Sequence, residues 1–253
     1  MIKKFNLYMP QFHEYRQIHM YLPNDYFLTQ KKYSVLYMFD GHNLFLDEDA
    51  TYGTSWDLGN QIENRNLDIL VVGQECSHIN NQRLNEYSPY PFADEYIKAS
   101  FEGQGNKTLD FFIHTLKPYI DQHYRTFSDR AHTWIGGSSC GGTMALYSLM
   151  NYPNTFSKSL VISPYLQPFY SYLLLDASKI KYVYPSKIYM SWGVLEHDEK
   201  HEFVLETKMC TEISNALIQH GIKVFFNVKL EGEHNERSWR EEVPDFLSFL
   251  SEK

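Results

Sequence analysis

The stretch HTWIGGSSCGGTMALYSLM (132–150) decides the fold. It begins as a short apolar run, HTWI, passes through the glycine- and serine-rich GGSSCGG (136–142), and continues as a helical apolar run from Thr143 to Met150. One register gives the pattern G-x-S-x-G, with Gly137, Ser138, Ser139, Cys140 and Gly141. A sharp strand-to-helix turn forces its central residue to unusual backbone angles and leaves no room for side chains two positions to either side, hence the two glycines. The same turn lifts the central hydroxyl above the sheet and aims the N–H groups of the new helix at whatever that hydroxyl attacks. Ser139 is therefore the candidate nucleophile. Cys140 contributes its backbone N–H as one oxyanion donor, because the strained central position belongs to its neighbour.

Outward from this turn the chain alternates apolar runs with helical patterns. YSVLYMF (33–39), DILVVGQ (68–74), KSLVIS (158–163) and KIYMSWG (187–193) are nearly continuous apolar stretches, as strands buried on both faces require. In Glu14 to Leu22 the apolar Ile18, Met20 and Leu22 alternate, which predicts a half-buried strand near a sheet edge. Leu109, Phe112, Ile113, Leu116 and Ile120 recur at helical spacing, as do Phe203, Thr207, Cys210, Ile213 and Leu217 ahead of Gly221. A last strand, KVFFNVKL (223–230), precedes a helix carrying Val243, Phe246, Leu247 and Leu250. The expectation is one α/β domain over residues 1–253, with a mainly parallel central sheet, helices on both faces and a ligand crevice at the carboxyl ends of the strands. Residues 75–107 have no clear period and are long for a loop, which predicts a lid or substrate-proximal insertion.

Composition bounds the function. A formal charge of −8 leaves no Lys/Arg stripe to neutralise phosphates, so nucleic acid is not expected as a partner. No apolar run approaches the length needed to span a bilayer, and no membrane partner is expected. The three cysteines, Cys76, Cys140 and Cys210, are far apart and odd in number, which argues against a disulfide framework or zinc knuckle and favours the cytoplasm. The 16% aromatic content serves either a core or the lining of a pocket for a bulky substrate.

A serine hydroxyl needs a base within reach. When the nucleophile follows a middle strand, the acid follows a later one and the histidine the last, giving the chain order Ser, Asp/Glu, His. His234, in EGEHNERSW, is the one histidine beyond the last strand. The loop GVLEHDE after KIYMSW offers Glu196 and, as an alternative acid, Asp198. His197 and His201 stand four apart, a spacing that could hold a metal on a helix, but charged loop residues explain them more simply and no metal is expected. A second oxyanion donor is expected from the loop after YSVLYMF, where the N–H of Gly41 or His42 is the candidate.

Several linked motifs resemble the esterase family of the α/β-hydrolase superfamily that includes esterase D and the enterochelin esterases. DGHNLF (40–45) resembles that family's D-G-Q-N-L-F loop, with His42 in place of Gln. Gly103 and Gly105, LKPYIDQHYRT (116–126) and IGGSSCGG (135–142) are similar to the segment leading into its nucleophile turn. Gly193 to Glu196 resembles its G-x-x-acid loop, and GEHNERSW (232–239) its closing histidine motif. The resemblance implies an α/β-hydrolase fold, a Ser139, Glu196, His234 triad, Asn43 near the substrate, a small-molecule ester as ligand and no cofactor. An acyltransferase on the same scaffold, or a binding protein that has kept the fold without catalysis, would share these motifs. Oligomeric state is not encoded in them.

Overall fold

Continuous apolar runs become central strands because both faces of each strand are covered. The computed structural model describes residues 1–95, 97–180 and 184–252. In chain order it places β1 (Ile2–Met9), β2 (Glu14–Tyr21), β3 (Ser34–Phe39), α1 (Leu58–Asn64), β4 (Ile69–Gln74), α2 (Gln82–Glu86), β5 (Phe92–Asp94), β6 (Ala99–Phe101) and α3 (Gly105–Phe111). A π-helical turn (Phe112–Leu116) joins α3 to α4 (Lys117–His123). Then follow β7 (Thr133–Ser138), α5 (Cys140–Asn151), β8 (Lys158–Ile162), α6 (Tyr170–Ser178), β9 (Lys187–Gly193), α7 (Lys200–Gln219), β10 (Lys223–Lys229) and α8 (Glu236–Ser251).

Eight strands form one sheet in the order β1-β2-β4-β3-β7-β8-β9-β10. β2 runs antiparallel to β1 and β4, and every pairing from β4 to β10 is parallel. Alternation along each strand splits the core in two. Val35, Tyr37 and Phe39 of β3 face one layer with α3 to α7, while Leu36 and Met38 face the other with α1 and α8. This is the α/β fold expected, with helices on both faces of a mainly parallel sheet.

β2 lies where its alternating pattern puts it, one strand in from the edge. The edge itself is β1, whose apolar pattern is interrupted by Lys3 and Lys4. The 75–107 stretch holds α2 and the antiparallel hairpin β5–β6, paired from Phe92–Phe101 to Asp94–Ala99. Tyr96, within that stretch, lies outside the described residues. Among the described residues no helix is long and apolar enough to cross a membrane.

The six parallel strands all point their carboxyl ends to one side, so the loops leaving them converge there. Asp40 to His42 follow β3, Glu75 to His78 follow β4, and Ser139 follows β7. Ser163 follows β8, Glu196 follows β9 and His234 follows β10.

Candidate active site

Ser139 caps α5 with φ 56° and ψ −124°, a conformation that L-residues rarely adopt. The flanking glycines are required by contact. A Cβ on Gly137 would sit 2.7 Å from the carbonyl carbon of Gly141, and one on Gly141 would sit 2.9 Å from Phe39 Cβ. The turn is pinned by hydrogen bonds from Ser139 N to Ile162 O (3.0 Å) and from Tyr165 N to Ser139 O (3.1 Å). The N–H of Ser139 is thereby used. That of Cys140, at the first position of α5, has no intrahelical acceptor. The Cys140 side chain is buried, and burial pushes its thiol up and keeps it protonated.

His234 and Glu196 are joined directly, with Nδ1 of the ring 2.8 Å from Oε2 of the carboxylate. The other oxygen, Oε1, accepts hydrogen bonds from Ser163 Oγ (2.7 Å) and from the N–H of Gly193. All of these groups stand at the carboxyl ends of β8, β9 and β10. Trp239 braces them from α8, its ring edge-to-face with His234 at 5.2 Å and its Nε1–H donating to Ser163 Oγ at 2.9 Å. Gly193 and Gly232 let the two loops cross, since a Cβ on Gly193 would lie 2.2 Å from Gly232 O. Asp198 is exposed, whereas the Glu196 side chain is 2% exposed. His197 is engaged by a different carboxylate, with Nε2 2.6 Å from Glu206 Oε2. Burial and the nearby Glu196 charge raise the Glu206 carboxyl, against the pull of His197.

Gly41, His42 and Asn43 form a single 3₁₀ turn. Its own bonds run from Asn43 N to Asp40 O (3.0 Å) and from Leu44 N to Gly41 O (3.4 Å), so the N–H groups of Gly41 and His42 are left for another acceptor. Asp40 anchors this turn. Burial opposes its charge, but the Arg83 guanidinium grips both carboxylate oxygens (2.8 and 2.7 Å) and holds its carboxyl below the usual range. The Asn43 side chain is engaged at both ends, donating to Glu236 Oε1 (3.2 Å) and accepting from Thr51 N (3.0 Å). It thus braces the loop as well as lining the site. His42 is buried, and burial lowers its imidazole despite the nearby Asp40.

Ser139, His234, His42, Asn43 and Arg83 line one cavity of about 350 Å³. A second, of about 470 Å³, meets it at His234 and is walled by Tyr165, Leu166, Tyr170, Leu205 and Met209. A larger cleft of about 750 Å³, lined by Ser34, Ile69, Lys158 and Lys187, opens at the amino ends of the strands. Ligands of parallel α/β sheets bind at the opposite end, where the serine and histidine are.

Ser163 was not anticipated. Only the short SP pair closing KSLVIS hinted at a break there, and the contact with Glu196 follows from β8 and β9 being neighbours.

Known proteins share this fold. Among solved structures, the IroE-like serine hydrolase from Shewanella oneidensis superposes with a TM-score of 0.78 at 17% identity, covering 100% of this chain and 82% of that one. The siderophore hydrolase EstA from Aspergillus nidulans gives 0.75 at 17% identity, with 99% and 95% covered. The enterobactin esterase FES from Shigella flexneri gives 0.76 at 15%, with 99% and 59% covered. At these identities the likeness establishes the fold. Two uncharacterized proteins of Bacillus subtilis (strain 168) are similar in sequence. YbbA is 24% identical over 56% of this chain, and the match spans about half of YbbA (54%). YjcH is 27% identical over 78% of this chain and 73% of its own length. The profile of the family described as "Putative esterase" matches residues 10–250, nearly the whole chain including every loop that carries the site, and the protein belongs to that family.

Proposed function

We propose that the protein hydrolyses a carboxylic ester through an acyl-enzyme, with Ser139 as nucleophile, His234 as base and Glu196 as the acid that orients the ring. The observation that carries this reading is the 2.8 Å contact between His234 and Glu196, made beside the cavity that Ser139 lines. With Nδ1 engaged by the carboxylate, the ring's Nε2 is the nitrogen available to take a proton from Ser139 Oγ. Attack on the ester carbonyl would place negative charge on its oxygen, within reach of the N–H of Cys140 and of Gly41 or His42. Collapse would expel the alcohol with the proton from His234, which then activates water against the acyl-enzyme.

The two cavities that meet at His234 fit the two halves of a small or medium ester. The 470 Å³ space, walled by tyrosine, leucine and methionine, suits an apolar or aromatic group. The 350 Å³ space, bordered by Asp40, Arg83 and Glu236, suits a polar one.

The test is hydrolysis of p-nitrophenyl esters of increasing acyl length by the wild type and by Ser139→Ala, with fluorophosphonate labelling mapped by peptide mass spectrometry. Saturable turnover that disappears in the variant, with the label on Ser139, supports the reading. Equal turnover by both proteins, or a label elsewhere, defeats it.

A further inference from the structure

A second cluster stands on the wall of the Ser139 cavity, and its side chains have no part in the mechanism above. The loops leaving β3 and β4 bring His42, Cys76 and His78 together, with one donor atom of each within 4.8 Å of the others. All three residues line the 350 Å³ cavity. His42 and Cys76 are 5% and 4% exposed. His42 Nδ1 is buried and, among the described residues, has no hydrogen-bond partner. Its Nε2 is already engaged, 3.0 Å from Thr51 Oγ1. His78 is held in the same fashion, with Nε2 2.7 Å from Glu75 Oε1, and the two imidazoles meet edge to face at 4.9 Å. Glu75 is fixed in turn by His19, whose Nε2 lies 2.7 Å from Oε2.

We propose that His42, Cys76 and His78 form a three-ligand zinc site on the wall of the catalytic cavity, with the fourth coordination position open to that cavity. Each histidine has one nitrogen oriented by an oxygen, a hydroxyl for His42 and a carboxylate for His78, which leaves Nδ1 of each to bind. That is the outer-shell pattern that sets the tautomer of zinc-bound histidines. Zinc takes imidazole nitrogen and thiolate sulfur at roughly 2.0 to 2.3 Å in a tetrahedron, so its donors stand about 3.3 to 3.8 Å apart. The donors lie within 4.8 Å of one another, so the cluster closes to that spacing by a shift of about 1 Å. One thiolate with two imidazoles selects zinc over magnesium or calcium, which prefer oxygen. On binding, the Cys76 thiol releases its proton to solvent and the sulfur bonds to the ion, so the new thiolate charge is offset by the metal. Three protein ligands and an open position are the arrangement of a zinc that binds water or a ligand oxygen, whereas structural zinc is closed by four.

The test is titration of the metal-free full-length chain with Zn²⁺ by calorimetry, and with Co²⁺ by absorption spectroscopy. The expected result is one ion per chain, an affinity lowered at least about 10-fold by His78→Ala, and a thiolate-to-cobalt charge-transfer band that Cys76→Ser abolishes. His78 is exposed, so its alanine variant retains the fold and keeps the test decisive even where the buried Cys76→Ser does not fold. His201→Ala removes the rival pair with His197, which stands in the turn ahead of α7, and is expected to leave affinity unchanged. Absence of stoichiometric binding, equal affinity in His78→Ala, or loss of binding in His201→Ala instead would overturn the proposal.

Discussion

The Nδ1 atom of His234 lies 2.8 Å from Oε2 of Glu196, although 38 residues separate them in sequence. They meet because β9 and β10 are adjacent parallel strands whose loops leave on the same side and cross where Gly193 abuts Gly232. A carboxylate so placed holds the ring in one tautomer and stabilises the imidazolium formed when the ring accepts a proton. Glu196→Gln keeps the shape and loses the charge. Turnover is expected to fall by up to about 10⁴-fold, with the fold retained by circular dichroism, whereas Asp198→Asn stays close to wild type. Comparable losses in both variants would mean that the acid has been misassigned.

On the proposed mechanism Ser163 is a positioning residue for that pair. Its hydroxyl donates to Glu196 Oε1 and accepts from Trp239 Nε1, tying the ends of β8 and β9 to α8. Ser163→Ala removes one of the two hydrogen bonds to Glu196 Oε1, leaving that of the Gly193 N–H, and leaves a buried indole N–H unpaired, at a cost of about 1 to 3 kcal/mol. The expected outcome is a lower melting temperature together with a kcat reduced by more than 10-fold and a KM nearly unchanged. A purely structural role would lower the melting temperature and leave kcat intact, which is the result to look for against this assignment.

The sequence carried the centre of this fold better than its margins. Strands β3, β4, β7, β8 and β9 are buried on both faces, so their apolar runs identify them. β1 is an edge strand whose side chains alternate between partial burial and exposure, with Lys3 and Lys4 interrupting the pattern. Helix α1 is only seven residues long and buries just Leu58, Gly59 and Ile62, too few to show a period. At the proposed site, motif and strand order alone select Ser139 and His234 as candidates. The choice between Glu196 and Asp198 depends on how one loop turns, and spacing does not encode that. The grouping of His42 with Cys76 and His78 joins two separate loops, so no ligand spacing announces it.

The turn at Ser139 predicts a stability effect with no chemistry in it. A methyl group on Gly137 would press into the backbone of Gly141 at 2.7 Å, and backbone at that point cannot yield without moving the start of α5. Gly137→Ala is therefore expected to destabilise by more than about 3 kcal/mol, seen as a large drop in denaturation midpoint or in soluble yield. Gly53→Ala makes the comparison, because a Cβ there meets nothing within 4 Å and its φ of +70° leaves only local backbone strain. Equal midpoints for the two variants would contradict the close approach.

Glu242 gives the chain a pH-dependent stability unconnected with the triad. It is 1% exposed on α8, and burial pushes its carboxyl up to about 7 against the opposing pull of Ser191, Tyr189 and Lys229. Below the ordinary value of 4.5 the carboxyl is protonated in both folded and unfolded chains and costs nothing. Between 4.5 and about 7 the unfolded chain ionises first while the folded chain keeps its proton, so stability falls as pH rises. Above about 7 the penalty is complete, on the order of 3 kcal/mol at about 1.4 kcal/mol per pH unit of separation. Glu242→Gln removes the titration and keeps the shape. Its advantage over wild type in urea unfolding should therefore be small at pH 5 and reach its full value by pH 8, with the denaturant slope unchanged. Parallel stability curves across that range would show that the carboxyl is not held neutral by the fold.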